Sequence, residues 1–99
     1  MVEAILQKHC EDFLYMKGLN YLHLPKTISY KNKAFSYLKG FPDLEVFTKP
    51  KPIYIELKVK GGELLKDQII WKDKLEDQGY DYYVAWNIEE FVNIIQEHT

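Results

Sequence analysis

The chain has 99 residues, a formal net charge of −2 and 46% hydrophobic content, which predicts one globular domain over 1–99 and excludes a disordered chain. No apolar run approaches the ~20 residues that a membrane-spanning helix needs. Cys10 is the single cysteine, so no internal disulfide can form. Because no signal-peptide pattern follows Met1, we expect a reducing, cytoplasmic compartment.

Periodicity predicts an α/β fold in which helices flank a small mixed sheet. Gly18 and Gly79 are natural stops for two helices, and Asn87 with Glu90 can form a capping box for the last one. The predicted elements in chain order are a helix over 2–17, a short strand within 20–25, an irregular segment over 26–39, a strand over 43–47, a turn over 49–52, a strand over 53–60, a helix ending at 78, a strand over 80–86 and a final helix from 88.

The predicted hairpin in the middle of the chain, within "GFPDLEVFTKPKPIYIELKVKGG", gathers charges on one face. A four-residue turn over 49–52 would place Asp43 opposite Lys58 and Glu45 opposite Glu56. Opposed residues share a face of the sheet. We therefore expect Asp43, Glu56 and Lys58 to converge, while the apolar residues of both strands face the other side.

Two carboxylates a few Å apart repel each other, and a divalent cation between them removes the repulsion. Hard oxygen ligands favour Mg²⁺ or Mn²⁺, and a lysine beside the metal can steady a phosphate or an attacking water. This combination is typical of phosphodiester hydrolysis. The alternative on the local pattern alone is a solvated strand face whose charges have no chemical role.

Two polar residues fall on helix stripes where apolar residues are expected. In the helix predicted to follow Gly62, Gln68 shares a stripe with Leu64, Trp71 and Leu75. Glu3 lies in line with Leu6 on the first helix. Gln68 either is a satisfied core amide or projects toward the charged face of the hairpin. Glu3 either complements the helix dipole or reaches the metal.

These residues belong to a pattern that runs nearly end to end. It comprises Glu3 and Gln7 in the first helix, "GFPD" at 40–43, "ELK" at 56–58, "KGGELLKDQ" at 60–68 and "LEDQG" at 75–79. In these motifs the chain resembles the virus-type replication-repair nuclease (VRR-NUC) domain. That domain is a branch of the PD-(D/E)xK nuclease superfamily, which has a restriction-endonuclease-like core.

The resemblance implies roles for the matching positions. Asp43 and Glu56 would bind the metal together with the backbone carbonyl of Leu57, and Glu3 would complete the metal shell directly or through water. Lys58 would position or activate the water, and Gln68 would be an accessory active-site residue. Glu45 is an additional acid on the expected active face that the family pattern does not require.

The resemblance also implies a function. Small standalone members resemble dimeric Holliday-junction resolvases and many are phage-borne, whereas the domain in the eukaryotic Fanconi-associated nuclease works on flaps and crosslink repair. We therefore expect a Mg²⁺-dependent, structure-selective DNA endonuclease of a bacterial or phage-infected cell that cuts four-way junctions as a homodimer. The alternatives are a monomer that nicks flaps or forks and a non-catalytic DNA-binding module.

The charge distribution predicts how DNA would be held. Every basic residue is lysine, which cannot read guanine bidentately as arginine does, so recognition of shape and backbone is expected rather than sequence readout. The acid-free stretch from Pro25 to Pro42 supplies four candidate phosphate contacts, Lys26, Lys31, Lys33 and Lys39. The histidines show no metal-ligand spacing. A surplus of large apolar side chains predicts a dimer interface that includes Tyr82, Tyr83, Trp86, Phe91, Ile94 and Ile95.

Overall fold

The computed structural model describes residues 2–24 and 36–99, and within them helices and strands follow the predicted order closely. The helices and strands are α1 (Glu3–Lys17), β1 (Tyr21–His23), β2 (Leu44–Val46), β3 (Ile53–Leu57), α2 (Lys66–Asp77), β4 (Asp81–Ala85) and α3 (Ile88–Glu97). The predicted signals act as expected at two helix ends. Gly18 ends α1 in the left-handed conformation, and the Asn87 side chain accepts a hydrogen bond from the backbone N–H of Glu90 at 2.8 Å.

The strands form one four-stranded sheet in the order β1-β2-β3-β4. The pairs β1–β2 and β2–β3 are antiparallel, and β3–β4 is parallel, because the crossover through α2 returns the chain to the same end of the sheet. The predicted class, an α/β fold around a small mixed sheet, is confirmed. The short strand predicted before Pro25 is β1, and it pairs with the edge of the hairpin.

Helices α1 and α3 cover one face of the sheet and form the main hydrophobic core. Its buried members come from α1, from alternate positions of β2 and β3, from the end of β4, and from α3. They are Leu6, Cys10, Leu14, Leu44, Val46, Ile53, Ile55, Leu57, Ala85, Phe91 and Ile95. The alternation predicted from the sequence thus buries the apolar residues on this face, and the opposite residues of the same strands lie toward α2.

Helix α2 covers the other face through a smaller, aromatic cluster. Tyr54, Leu75 and Tyr82 are buried there, and Phe41 and Trp71 pack against them. Phe41 and Trp71 meet edge to face with ring centroids 5.0 Å apart. Within the described part of the chain, the Tyr82 hydroxyl is buried and has no hydrogen-bond partner. Burial, followed by the nearby carboxylates, raises the pKa of Tyr82.

The hairpin register differs from the prediction by two residues. Glu45 pairs with Tyr54 rather than with Glu56, and Leu44 pairs with Ile55. The connection runs over 47–52, because the Thr48 N–H turns back to the carbonyl of Val46 at 2.9 Å instead of pairing across the hairpin. Since side chains alternate with a period of two, a two-residue shift keeps every side chain on its predicted face.

Two other boundaries are shorter than predicted. β3 ends at Leu57 rather than at Lys60. Helix α2 begins at Lys66, so Leu64 precedes it and Gln68 lies in its first turn. The predicted irregular segment over 26–39 lies largely outside the described residues. None of the helices in the described ranges is long and apolar enough to cross a membrane.

The apolar residues proposed as a dimer interface lie largely inside the protomer. Phe91 and Ile95 are fully buried and Tyr82 is nearly so, while Tyr83 and Ile94 pack against the main core. Trp86 remains 38% exposed. The prediction of an uncovered patch was therefore wrong for these five residues, because α3 packs onto one face of the sheet and α2 covers Tyr82 on the other face.

Candidate active site

Three carboxylates meet at one end of the sheet. Glu3 comes from the first turn of α1, Asp43 immediately precedes β2, and Glu56 lies in β3. One oxygen of each residue lies within 4.8 Å of the others, and in the described ranges this is the one such cluster of possible metal ligands. Glu3 is half-buried, whereas Asp43 and Glu56 are buried. The structure therefore brings together the three acidic side chains that the sequence singled out.

Asp43 is fixed by the strand beside it. Its Oδ2 accepts a hydrogen bond from the backbone N–H of Leu57 at 2.7 Å, and its carbonyl accepts one from Leu24 N–H at 3.4 Å. The approach to Asp43 depends on Gly40, which has φ +87°. A Cβ at Gly40 would lie 2.5 Å from the backbone carbonyl carbon of Asp67 in α2. The "GFPD" turn can therefore pass this close to the helix only with glycine.

Glu56 is fully buried and is held from the side of α2. The Gln68 Nε2 donates to Glu56 Oε2 at 3.2 Å, while the Gln68 Oε1 accepts from the backbone N–H of Leu65 at 2.9 Å. Gln68 thus caps the beginning of α2 and contacts the site with the same amide. Both interpretations offered from the sequence, a satisfied amide and a site-facing amide, describe this residue.

Lys58 lies beside the same carboxylate. Its Nζ is 3.8 Å from Glu56 Oε2, and both side chains are buried. The alkyl part of Lys58 runs along Gly62, where an added Cβ would lie 3.5 Å from Lys58 Cδ. A buried ammonium without a counter-charge is costly, so this pairing stabilises the lysine in a position next to the acidic cluster.

Glu45 lies on the α2 face of the sheet, but it is engaged elsewhere. It accepts a hydrogen bond from the Tyr54 hydroxyl at 2.7 Å. Burial, with this hydrogen bond as the next cause, raises the pKa of Tyr54. The two-residue change of register explains this pairing, because it places Asp43 rather than Glu45 next to Glu56.

The donor set suits a hard divalent cation. Three carboxylates within 4.8 Å of one another offer oxygen ligands only, and such ligands select Mg²⁺, Mn²⁺ or Ca²⁺ rather than soft metals. The cluster borders an open cleft of about 220 Å³ that is lined by Glu3, Ala4, Gln7, His23 and Asp43. A cation at the cluster would be reached from solvent through this cleft, while Lys58 and Gln68 contact Glu56.

His23 is a residue of this cleft that the sequence analysis missed. Its Nδ1 lies 3.0 Å from the main-chain oxygen of Asp43, and its strand β1 is the neighbour of β2. Metal-ligand spacing does not reveal His23, because 20 residues separate it from Asp43. The signal that could have found it is the pairing of "NYLHLP" beside "FPDLEV".

Of the four lysines predicted to contact DNA, only Lys39 lies in the described residues. Its Nζ is 3.5 Å from Asp67 Oδ2, and both side chains are partly exposed. Lys26, Lys31 and Lys33 lie outside the described ranges. Lys39 is thus beside the beginning of α2, close in sequence to the "GFPD" turn.

A mixed sheet that presents an aspartate and a Glu-x-Lys pair at one end defines the PD-(D/E)xK class of nuclease folds. The VRR-NUC domain model matches residues 9–86, and the chain therefore belongs to the VRR-NUC family, which is a nuclease family. A solved "VRR_NUC domain protein" is 20% identical, with a TM-score of 0.82 and coverage of 99% of this chain and 88% of that one.

A second solved structure, "VRR_NUC domain", is 17% identical with a TM-score of 0.72, and the alignment covers 98% of this chain and 97% of that one. At these identities the two structures establish the fold. A comparison with curated proteins found no significant match. The family match begins after Glu3, so the placement of that residue at the site rests on the geometry of α1.

Proposed function

We propose that this protein is a Mg²⁺-dependent, structure-selective DNA endonuclease that resolves four-way junctions as a homodimer. The observation that carries the proposal is the cluster of Glu3, Asp43 and Glu56, with oxygens within 4.8 Å of one another, next to the buried ammonium of Lys58. Membership of a nuclease family makes phosphodiester hydrolysis the chemistry that best uses this arrangement.

In this proposal each residue has a defined part. Asp43, Glu56 and the carbonyl of Leu57 hold the cation, and Glu3 completes its shell. When bound, Mg²⁺ would supply charge to the scissile phosphate and to the attacking water; Mn²⁺ is expected to substitute for it. Lys58 holds a positive charge beside the reacting phosphate. Gln68 orients Glu56 through the 3.2 Å hydrogen bond from its Nε2.

Two features favour a four-way junction as the substrate. Resolving a junction takes two cuts, and a two-fold homodimer of a one-site domain supplies two sites with matching symmetry. The lack of arginine favours recognition of DNA shape over sequence. The competing function is a monomer that nicks flaps or forks, and the burial of Phe91 and Ile95 within the protomer supports it by removing one argument for dimerisation.

A cleavage panel tests the chemistry. Labelled duplex, single strand, flap, fork and four-way junction are incubated with Mg²⁺, Mn²⁺ or EDTA, and the oligomeric state is measured by light scattering. Lys58→Ala is expected to abolish cleavage. Lys60→Ala, which removes an exposed lysine two residues further along, is the matched control and should retain it. Full activity in EDTA or in Lys58→Ala would refute the proposal.

The same panel distinguishes between junctions and flaps as substrates, and between a nuclease and a non-catalytic DNA-binding module. A dimer that cuts junctions by paired incisions supports the resolvase function. A monomer that cuts flaps and spares junctions would favour the competing function. Binding of DNA without cleavage in any metal would instead assign the chain to the non-catalytic class.

The contact with DNA is tested separately through Lys39. Lys39→Ala should weaken binding to all DNA sequences and flatten the log–log salt dependence by about one unit, because one phosphate contact is lost. Lys72→Ala is the control, since Lys72 is paired with Glu76 at 2.7 Å in the middle of α2. An unchanged slope in Lys39→Ala would leave Lys39 with the structural role that its pairing with Asp67 indicates.

A further inference from the structure

His23 lies at the open cleft beside the acidic cluster, and the proposed function gives it no role. The residue ends β1, is half-buried, and lines the cleft together with Glu3 and Asp43. Among the described residues, one hydrogen bond holds its ring, between Nδ1 and the main-chain oxygen of Asp43 at 3.0 Å. The ring therefore has a fixed place next to two of the three carboxylates.

The contact with Asp43 decides which ring nitrogen carries a hydrogen. A carbonyl oxygen can only accept a hydrogen bond, so His23 Nδ1 must be the donor. In the neutral ring Nε2 is then an acceptor, with one lone pair directed away from Asp43. Within residues 2–24 and 36–99, no protein group donates a hydrogen bond to this atom.

The described residues that line the cleft offer Nε2 few donors. The carboxylates of Glu3 and Asp43 accept hydrogen bonds when ionised and do not donate them. The amide nitrogen of Gln7 is directed to Glu11 Oε2 at 3.1 Å. Water bound to a cation is a strong donor, and Mg²⁺ in proteins usually keeps several of its waters.

We propose that His23 is a positioning residue whose Nε2 accepts a hydrogen bond from a water bound to the cation at Glu3, Asp43 and Glu56. The inference rests on the metal site of the proposed function and adds a residue to it. Histidine in this position orients the bound water through Nε2 and steadies the backbone of Asp43 through Nδ1. Outer partners of this kind typically contribute about 10- to 100-fold to metal affinity.

Two amide substitutions separate the two ends of the ring. His23→Asn places an amide where Nδ1 lies and can keep the hydrogen bond to the Asp43 carbonyl, but it leaves the Nε2 position empty. His23→Gln places an amide where Nε2 lies, so its oxygen can accept from the water, but it loses the contact with the carbonyl. Mn²⁺ alone is titrated by calorimetry into each folded variant in the absence of DNA, and thermal unfolding confirms that each is folded.

The expected result is that His23→Asn binds Mn²⁺ about tenfold more weakly than the wild type, while His23→Gln stays within about threefold of it. Unchanged affinity in both variants would overturn the proposal. So would weaker binding in His23→Gln alone, which would mean that only the anchor to Asp43 matters, and so would an equal loss in both.

The titration also separates this inference from the proposed function. If the variants differ as expected but the wild type cuts no DNA in the cleavage panel, His23 keeps its role and the nuclease function fails. If the wild type cuts DNA and the two variants bind Mn²⁺ equally well, the nuclease function stands and the role of His23 fails. A wild type that does not bind Mn²⁺ overturns the inference about His23 and the metal dependence together.

Discussion

Replacing Asp43 with asparagine should make the metal-free protein more stable while removing its metal site. Asp43 and Glu56 are buried, and their ligand oxygens, with that of Glu3, lie within 4.8 Å of one another. Asp43→Asn removes one charge from this cluster and changes little in shape. The asparagine oxygen can still accept the hydrogen bond that Leu57 N–H donates at 2.7 Å.

The size of the effect follows from one stabilising and two destabilising contributions. Two unit charges at the 4.8 Å limit of the cluster repel by about 3.5 kcal/mol at an effective dielectric constant of ~20. Exchanging a charged acceptor for a neutral one weakens the hydrogen bond from Leu57 by about 1 kcal/mol, and loss of attraction to Lys58 offsets more of the gain. We expect Asp43→Asn to be about 1–2 kcal/mol more stable in EDTA, which raises Tm by about 5–10 °C in a domain of this size.

Magnesium should reverse the order of stability. A ligand present at about 100 times its Kd stabilises the folded state by about 2.7 kcal/mol, and only the wild type is expected to gain this. Differential scanning calorimetry in EDTA and in saturating Mg²⁺ measures both Tm values. Asp12→Asn is the control, because it removes an equal charge from a side chain that is 62% exposed and paired with Lys8 at the surface.

Two results would refute this reasoning. If Asp43→Asn melts below the wild type in EDTA while Asp12→Asn does not, the carboxylates do not repel in the folded state. If Asp43→Asn gains as much stability from Mg²⁺ as the wild type does, the cation does not bind at this cluster.

Three further predictions concern the fold. Gly40→Ala should have a Tm well below that of Gly18→Ala. Both glycines have positive φ, but of the two only Gly40 would place the new Cβ against backbone, at 2.5 Å. Equal melting temperatures would contradict this close approach. Tyr54→Phe should lower the free energy of unfolding, measured by chemical denaturation, by about 1 kcal/mol, because it removes a 2.7 Å hydrogen bond to Glu45. Tyr82→Phe should leave it unchanged or raise it, because the Tyr82 hydroxyl has no partner in the described residues. The reverse order of stability would show that these assignments are wrong. Burial raises the pKa of Cys10 to about 12, so the folded state favours the neutral thiol, and stability is lost only as pH rises above the ordinary thiol range. Cys10 should react with thiol reagents at pH 8 only after unfolding. Rapid labelling of the folded protein would contradict the burial of Cys10.

The faces of the sheet could be predicted from the sequence, and the register could not. Alternation of apolar and polar residues has a period of two, so it distinguishes the faces of β2 and β3 but does not detect a two-residue shift in their pairing register. The loop determines the register, because the Thr48 N–H bonds to the carbonyl of Val46 instead of extending β2. The motif residues Asp43, Glu56 and Lys58 were nevertheless predicted to converge, because their convergence depends on the face.

Contacts between elements distant in the chain were harder to predict. His23 lies beside Asp43 because β1 pairs with β2, and no spacing within a single helix or strand encodes that pairing. The covering of Phe91 and Ile95 by the sheet likewise depends on where α3 packs. The role of Gln68 was predicted only in part, because placing the beginning of α2 at Lys66 required the cap itself to be seen.

That cap explains why position 68 holds an amide. In a helix-capping box, glutamate and glutamine serve equally well as the third residue, since either offers an oxygen to the backbone N–H at the cap. Here the oxygen of Gln68 is directed to Leu65, which leaves the opposite end of the side chain facing Glu56. A glutamate would present a second oxygen to that carboxylate and would set two acceptors against each other. The helix alone permits either residue, and the neighbouring acid selects the one that carries hydrogens.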